Sequence, residues 1–321
     1  MHLSEFWKIA RSELERSRPV YLCLVVAQRK GTPGTTAARM LLTSGGRQYG
    51  TIGGGIMEKR VLEEAARLIA GPGLREPRLV ELKHRIGDAD TASGLICGGG
   101  QTNLEMILEP EEHLEVVRRI SEAAEAEDEC CAVFRPAGLS LEKREEESGK
   151  VELQGGGDAW TAFVPLRNPR RVAVFGGGHC GSALAELMDR LGYAVTVIEP
   201  RPGLPAMDVL SSRVSRVAGD FEGGAAGVRF PSQTIAVVMT YSMPTDVEAL
   251  AGILKVGFRE VGLMGSKPKI ARIAAALREK GFPNSQISKI RAPVGLEFNS
   301  DTPDEIAVSV AARILLERER S

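Results

Sequence analysis

RVAVFGGGHCGSALAELMDRLGYAVTVIE, from Arg171 to Glu199, decides the fold of the second half of the chain. Arg171 to Gly176 is an apolar run of strand type, and His179 to Leu191 has the spacing of an amphipathic helix. Ala194 to Glu199 is a second apolar strand. Between the first strand and the helix stands Gly176-x-Gly178-x-x-Gly181. Each glycine has its own part in this setting. Gly176 permits the tight turn, Gly178 lets the backbone approach a pyrophosphate, and Gly181 lets helix and strand pack closely. The helix start supplies free N–H groups and the positive dipole end, with His179 inside the phosphate loop. Glu199, at the end of the next strand, suits a ribose diol and repels a 2′-phosphate, an objection that the nearby Arg201 softens.

Downstream the alternation continues. Thr234 to Thr240 and Glu260 to Gly265 read as strands; Asp246 to Val256, Lys269 to Lys280 and Pro303 to Glu317 read as helices. Apolar strands separated by amphipathic helices predict a doubly wound parallel sheet. Loops at the carboxyl ends of its strands should line one crevice. They place Thr240 and the pair Ser266-Lys267 among the candidate binding residues, although Lys267 reads equally well as a solvated turn lysine. No G-x-x-x-x-G-K-[ST] occurs, which excludes nucleotide hydrolysis of the Walker type.

The first half reads differently. A short helix from Phe6 to Leu14 precedes the buried strand Val20 to Ala27, and a Gly/Thr/Pro loop leads to a hairpin, Arg39 to Thr43 with Arg47 to Ile52. Gly53-Gly54-Gly55 then opens a helix. Consecutive glycine amides suit an anion, Thr51 adds a hydroxyl, and Glu58 in the first turn has dipole stabilisation as its plain reading. A second glycine run, Cys97 to Gly100, precedes the alternating strand QTNLEMIL. Cys97 is either a small buried residue or an open thiol. The middle holds a charged helix (Glu111 to Glu129), a charge run (Glu142 to Lys150) and Gly155-Gly156-Gly157, read as a turn or linker. The predicted organisation is an N-terminal α+β domain over 1–167 and a Rossmann-like α/β domain over 168–321.

The chain has 321 residues, enough for about two domains at roughly 150 residues each. Its formal net charge of -1 gives no electrostatic pointer to nucleic acid or to an anionic membrane. The charged N-terminus has no signal-peptide core, so the expectation is a cytoplasmic chain. The five cysteines are odd in number and form no C-x-x-C, so reduced thiols are expected. The four histidines are scattered, which argues against a structural or protease-type zinc site.

Taken together the motifs resemble the XdhC/CoxI family of xanthine dehydrogenase accessory proteins. GTPGTTAARMLLTSGGRQYGTIGGGIMEKRVLEEA, ICGGGQTNLEMILEP, RVAVFGGGHCGSALAELMDRLGYAVTVIEPRP, REVGLMGSKPKIARI and APVGLEFNSDTPDEIAVSVAARIL carry the likeness in order, sparing the middle. The resemblance implies a chaperone that binds the molybdenum cofactor, as molybdopterin or its cytosine dinucleotide. Such a chaperone protects the cofactor, assists its sulfuration and delivers it to an apo molybdenum hydroxylase. A cysteine desulfurase and a homodimer are further expected associations. The resemblance also raises Cys97 from a packing residue to a contact for the cofactor or its molybdenum. One departure is Tyr241-Ser242-Met243, where many members carry a histidine after the Thr. The competing reading is an NAD(P)-dependent oxidoreductase with NAD(P) or another dinucleotide in the Rossmann half. Against it stands the lack of a convincing acid–base set beyond His179.

Overall fold

The computed structural model describes residues 1–28, 36–71, 74, 76–83, 100–144 and 149–318. The chain divides into two compact units, Met1–Pro169 and Arg170–Ser321. Each is taken by itself.

The first unit runs α1 (Leu3–Glu15), β1 (Val20–Gln28), β2 (Arg39–Thr43), β3 (Gln48–Thr51), α2 (Gly55–Ala70), β4 (Arg78–Lys83) and β5 (Gly100–Leu108). Then come α3 (Pro110–Ala126), β6 (Cys130–Arg135), β7 (Gly138–Lys143), β8 (Glu152–Gly156) and β9 (Ala159–Pro165). Two antiparallel sheets result, in the orders β3-β2-β1-β5-β4 and β7-β6-β9-β8. β1 is the central strand of the first, which explains its unbroken apolar sequence. Val20, Leu22, Leu24 and Val26 join a core with α1, α3, β6 and β9. Tyr21, Cys23 and Val25 face the opposite way, under Met57, Val61 and Ala65 of α2.

In the middle the structure shows strands where the sequence offered a charge run and a turn or linker. The first residues of the charge run, Glu142 and Lys143, belong to β7, an edge strand whose half-exposed side chains tolerate charge. Gly155 and Gly156 are not a linker but the end of β8, and Gly157 turns the hairpin into β9. A side chain on Gly155 would put its Cβ 2.2 Å from Ala159 O.

The second unit runs β10 (Arg171–Phe175), α4 (His179–Arg190), β11 (Ala194–Ile198), β12 (Ser215–Val217), α5 (Phe221–Ala226) and β13 (Thr234–Val238). It continues with α6 (Met243–Val256), β14 (Glu260–Leu263), α7 (Lys267–Glu279), α8 (Asn284–Ile287), β15 (Ile290–Arg291) and α9 (Pro303–Arg318). Six parallel strands stand in the order β12-β11-β10-β13-β14-β15, the doubly wound Rossmann order. One apolar layer packs α4 and α9 on the sheet, and the other packs α5, α6 and α7. The strand order reverses between β10 and β13, so the crevice of such a sheet opens there. The short β12 and β15 escape a reading of sequence because two or three residues carry no period.

Among the described residues no helix is long and apolar enough to cross a membrane. The first unit does bury a charge. Glu105 is 3% exposed on β5, directly across from Arg78 on β4. Arg78 donates to it from Nε at 3.1 Å and from Nη2 at 2.7 Å, and also reaches Glu64 of α2 at 2.7 Å. Burial pushes the Glu105 carboxyl above its ordinary range, and the guanidinium draws it only part of the way back. Arg78→Met should cost about 2–3 kcal/mol, below the ~3–5 of a fully buried pair because Arg78 stands partly in water. Urea unfolding at neutral pH checks the loss. The deficit should shrink on acidification, since a protonated Glu105 leaves no buried charge behind.

Candidate functional site

At the switch point the fingerprint glycines separate by function. Gly176 has φ +118°, and a Cβ there would lie 2.4 Å from Met239 O. Gly181 is tighter still, with its would-be Cβ 1.7 Å from Gly176 O. Both are glycine because the protein's own backbone occupies the space. Gly178 is different: no atom lies within 4 Å of an added Cβ, and its φ of -68° suits any residue. Packing against the described residues does not explain glycine at that position.

Gly178 is the N-cap of α4, with no side chain capping it and no acidic residue in the first turn. The first backbone donor with a partner one turn back is Ser182 N–H, to Gly178 O at 2.8 Å. The preceding amides lie at the positive dipole end of α4, beside the open space at Gly178. His179 is exposed beside them. Cys180 gains no thiolate character from this position, since burial pushes its thiol up.

Glu199 is buried at 7% exposure and fully engaged within the chain. Its Oε2 accepts from Gly177 N–H at 2.8 Å and Arg201 Nη2 at 3.0 Å. Its Oε1 accepts from Arg201 N–H at 3.0 Å and Nε at 2.9 Å. Burial alone would raise this carboxyl, but the Arg201 and Gly177 hydrogen bonds outweigh it and hold the group below its ordinary range. The Arg201 guanidinium lies 4.1 Å above the ring of Tyr241, which is 55% exposed at the end of β13. Four donors fill both oxygens, so a ribose diol could be held by Glu199 only after an internal bond broke.

The third loop is also tied down. Thr240 Oγ1 donates to Asp246 Oδ1 at 2.5 Å, and Ser242 caps α6 in a capping box with Thr245. Asp246 is wholly buried, and Lys269 Nζ stands 2.5 Å from its Oδ2 as an ion pair, out of line for a hydrogen bond. Ser266 and Lys267 are exposed at the start of α7. Sequence reading singled out Lys267 and missed Lys269, whose position two residues into the helix turns it back toward the buried Asp246.

In the first unit Gly53, Gly54 and Gly55 all have positive φ, at 133°, 74° and 70°. Three such residues in a row can only be glycine. The turn already holds an anion, the carboxylate of Glu58. Its Oε2 accepts from Thr51 Oγ1 at 2.5 Å, Ile52 N–H at 2.8 Å and Gly54 N–H at 3.1 Å, and its Oε1 from Gln48 at 2.8 Å. Burial raises this carboxyl, but those donors win and hold it below its ordinary range. An incoming anion must displace Glu58. Beside the turn, Gln101 donates to Ile52 O at 3.3 Å and to Asn103 Oδ1 at 2.9 Å. These two polar side chains, both buried on β5, were legible only as an alternating strand.

Cys97 lies outside the described residues. Among the described ones Cys23, Cys130, Cys131 and Cys180 are free thiols, and no group of three or more His, Cys, Asp or Glu side chains could hold a metal. Burial pushes the Cys23 thiol well up, as expected of an inert core cysteine.

Two outcomes are expected from this geometry. Gly181→Ala should lose about 2–3 kcal/mol or more to overpacking, while Gly178→Ala should lose under ~1 kcal/mol, both read by urea unfolding. For Glu199, a folded pKa below the ordinary 4.5 means stability present above that value and lost as pH falls through the folded value. Glu199→Gln should therefore flatten the acid limb of a stability–pH curve below about pH 4.5, with the limb unchanged if the brace contributes nothing.

Comparison with known proteins places this site in a family. Residues 172–314 match the family model of the XdhC Rossmann domain, and residues 13–81 that of the XdhC and CoxI family. The chain is 26% identical over 312 residues to the uncharacterised protein YqeB of Escherichia coli, covering 97% of this chain. It spans only 45% of that protein's length. It is 23% identical over 335 residues to a Bacillus subtilis protein named as a probable xanthine dehydrogenase subunit, covering 99% of each. A Bacillus halodurans crystal structure described as a xanthine dehydrogenase has the same fold, with TM-score 0.71 at 20% identity over 100% of this chain and 97% of that one. With both family models matched in order, one over the glycine turn of the first unit and the other over the Rossmann crevice, the chain belongs to the XdhC and CoxI family.

Proposed function

We propose that the protein serves the maturation of a molybdenum enzyme of the xanthine dehydrogenase type, as a chaperone whose cargo is the molybdenum cofactor. Membership of the XdhC and CoxI family and the name of the Bacillus subtilis relative support the general role. The observation that carries the cargo reading is Gly178, a cradle glycine with free space where a side chain would stand, at an uncapped helix start. That surface suits the phosphate-bearing end of a pterin cofactor or the pyrophosphate of its cytosine dinucleotide form. Lys267 and His179, exposed at the starts of α7 and α4, add donors for an anion. In this reading the protein holds the cargo, shields it from water and releases it to an apo hydroxylase. Sulfuration on the chaperone, with a cysteine desulfurase as sulfur donor and Cys97 as the contact, is part of the same proposal.

The saturated Glu199 weighs against a nicotinamide oxidoreductase. A dinucleotide enzyme of this fold uses the corresponding carboxylate on the ribose diol. Here Arg201 and Gly177 hold it.

Measurement of the ligand bound to the purified chain tests the reading. Protein produced in cells that make the cofactor should yield the fluorescent product of oxidised pterin, and should neither retain nor turn over NAD. Gly178→Val should keep its fold yet lose about 2–3 kcal/mol of cofactor affinity, as the branched side chain displaces charge-assisted hydrogen bonds. Unchanged affinity in folded Gly178→Val protein would remove the cofactor from this crevice, and nicotinamide turnover would replace the chaperone with an enzyme.

A further inference from the structure

The second unit has a cavity of about 400 Å³ away from the glycine crevice. It lies toward the amino-terminal edge of the parallel sheet, where β13, β14 and β15 begin and the loop after α6 meets the end of α9. All its lining residues belong to this unit. Ile235, Ile253, Leu254, Phe258, Val294 and Ile314 give it an apolar wall.

Four cations line the same cavity: Arg259, Lys289, Arg291 and Arg313. Among the described residues two carboxylates, Glu260 and Glu317, face them. Glu317 is already neutralised by Arg291 Nη1 at 2.5 Å, and Arg259 Nε stands 3.5 Å from Glu260. Burial, with Glu317 beside it, pushes the Glu260 carboxyl above its ordinary range. Arg313 is the informative member. Its Nε is buried and donates to no group among the described residues. A guanidinium N–H shut away from water without an acceptor costs free energy that an anion would recover.

We propose that this cavity is a second small-molecule site, taking an amphipathic anion: an aromatic or branched apolar body bearing one carboxylate or sulfonate. The apolar wall covers the body, and Arg313 Nε meets the acidic group. An apolar cavity with a few convergent polar groups is the usual form of a small-molecule site. The site is independent of the cofactor reading, because it shares no residue with the Gly178 crevice.

The test uses the full chain and 8-anilinonaphthalene-1-sulfonate, an aromatic sulfonate of this class. Fluorescence titration should show one saturable site. Arg313→Gln should weaken it by roughly tenfold or more, the scale of a lost charge-assisted hydrogen bond. Leu254→Trp, which fills the cavity from its apolar wall, should abolish it. Isoleucine-methyl NMR of the unaltered protein gives a readout that no variant's folding can obscure. The Ile235, Ile253 and Ile314 methyl signals should shift together as the probe is added. Non-saturable binding, a Leu254→Trp protein that binds like the parent, or shifts confined to isoleucines elsewhere would overturn the proposal.

Discussion

The backbone contact between Gly181 and Gly176 sets the geometry of the Rossmann crevice. A Cβ at Gly181 would lie 1.7 Å from Gly176 O, so α4 sits against the turn after β10 closer than any side chain permits. That closeness fixes the first turn of the helix. Ser182 Oγ reinforces it by donating to Gly177 O at 3.0 Å. With both flanks of the turn locked, no described residue reaches within 4 Å of where a Gly178 side chain would stand. The open surface is a consequence of tight packing on either side of it.

The same turn is joined to the next strand by one carboxylate. Glu199 reaches from the end of β11 to Gly177 N–H and gathers Arg201 by both backbone and side chain. Arg201 then lies on Tyr241 beyond β13, and that ring packs obliquely on Phe221 at 6.3 Å. Three loops at the carboxyl edge are thus connected through one buried acid. In a dinucleotide enzyme the acid at this point faces the ligand. Here it faces the protein, and both of its oxygens are taken up by Gly177 and Arg201. That arrangement supports the binding of a phosphate more than the reading of a ribose.

The parallel half was largely legible because its signals are local. The glycines, the apolar strands and the helical period lie within short windows, and strand order is constrained by the handedness of right-handed crossovers. The antiparallel half was less so. Nothing in Gly138–Lys143 distinguishes an edge strand from a solvated charge run until its partner β6 is known. The buried pair Gln101 and Asn103 was hidden for a similar reason, since alternation normally places polar residues toward water. Here that face of the sheet is buried too, and Gln101 finds its partners in Ile52 O and Asn103. Glu199 was legible as a residue at the strand end, but its hydrogen bonds to Gly177 N–H and Arg201 were not, because neither spacing nor composition says which groups a carboxylate will serve.

The two glycine turns are alike in glycine and unlike in charge. Both open a helix, both offer backbone amides, and both read as anion sites. The difference lies in the first turn of each helix. After Gly53-Gly54-Gly55 comes Glu58, whose carboxylate folds back onto Ile52 and Gly54 N–H and the Thr51 hydroxyl. After Gly178 no acid stands in the first turn. A helix start that carries its own carboxylate is electrostatically satisfied, and an external anion gains there only the difference between itself and that carboxylate. At the start of α4 the nearby carboxylate is Glu199, which takes Gly177 N–H and is itself countered by Arg201, while the helix's own first turn supplies no acid. The absence of an acid in the first turn, more than the presence of glycine, therefore separates the turn at Gly178 from the turn at Gly53, and the proposed cargo site rests on that difference.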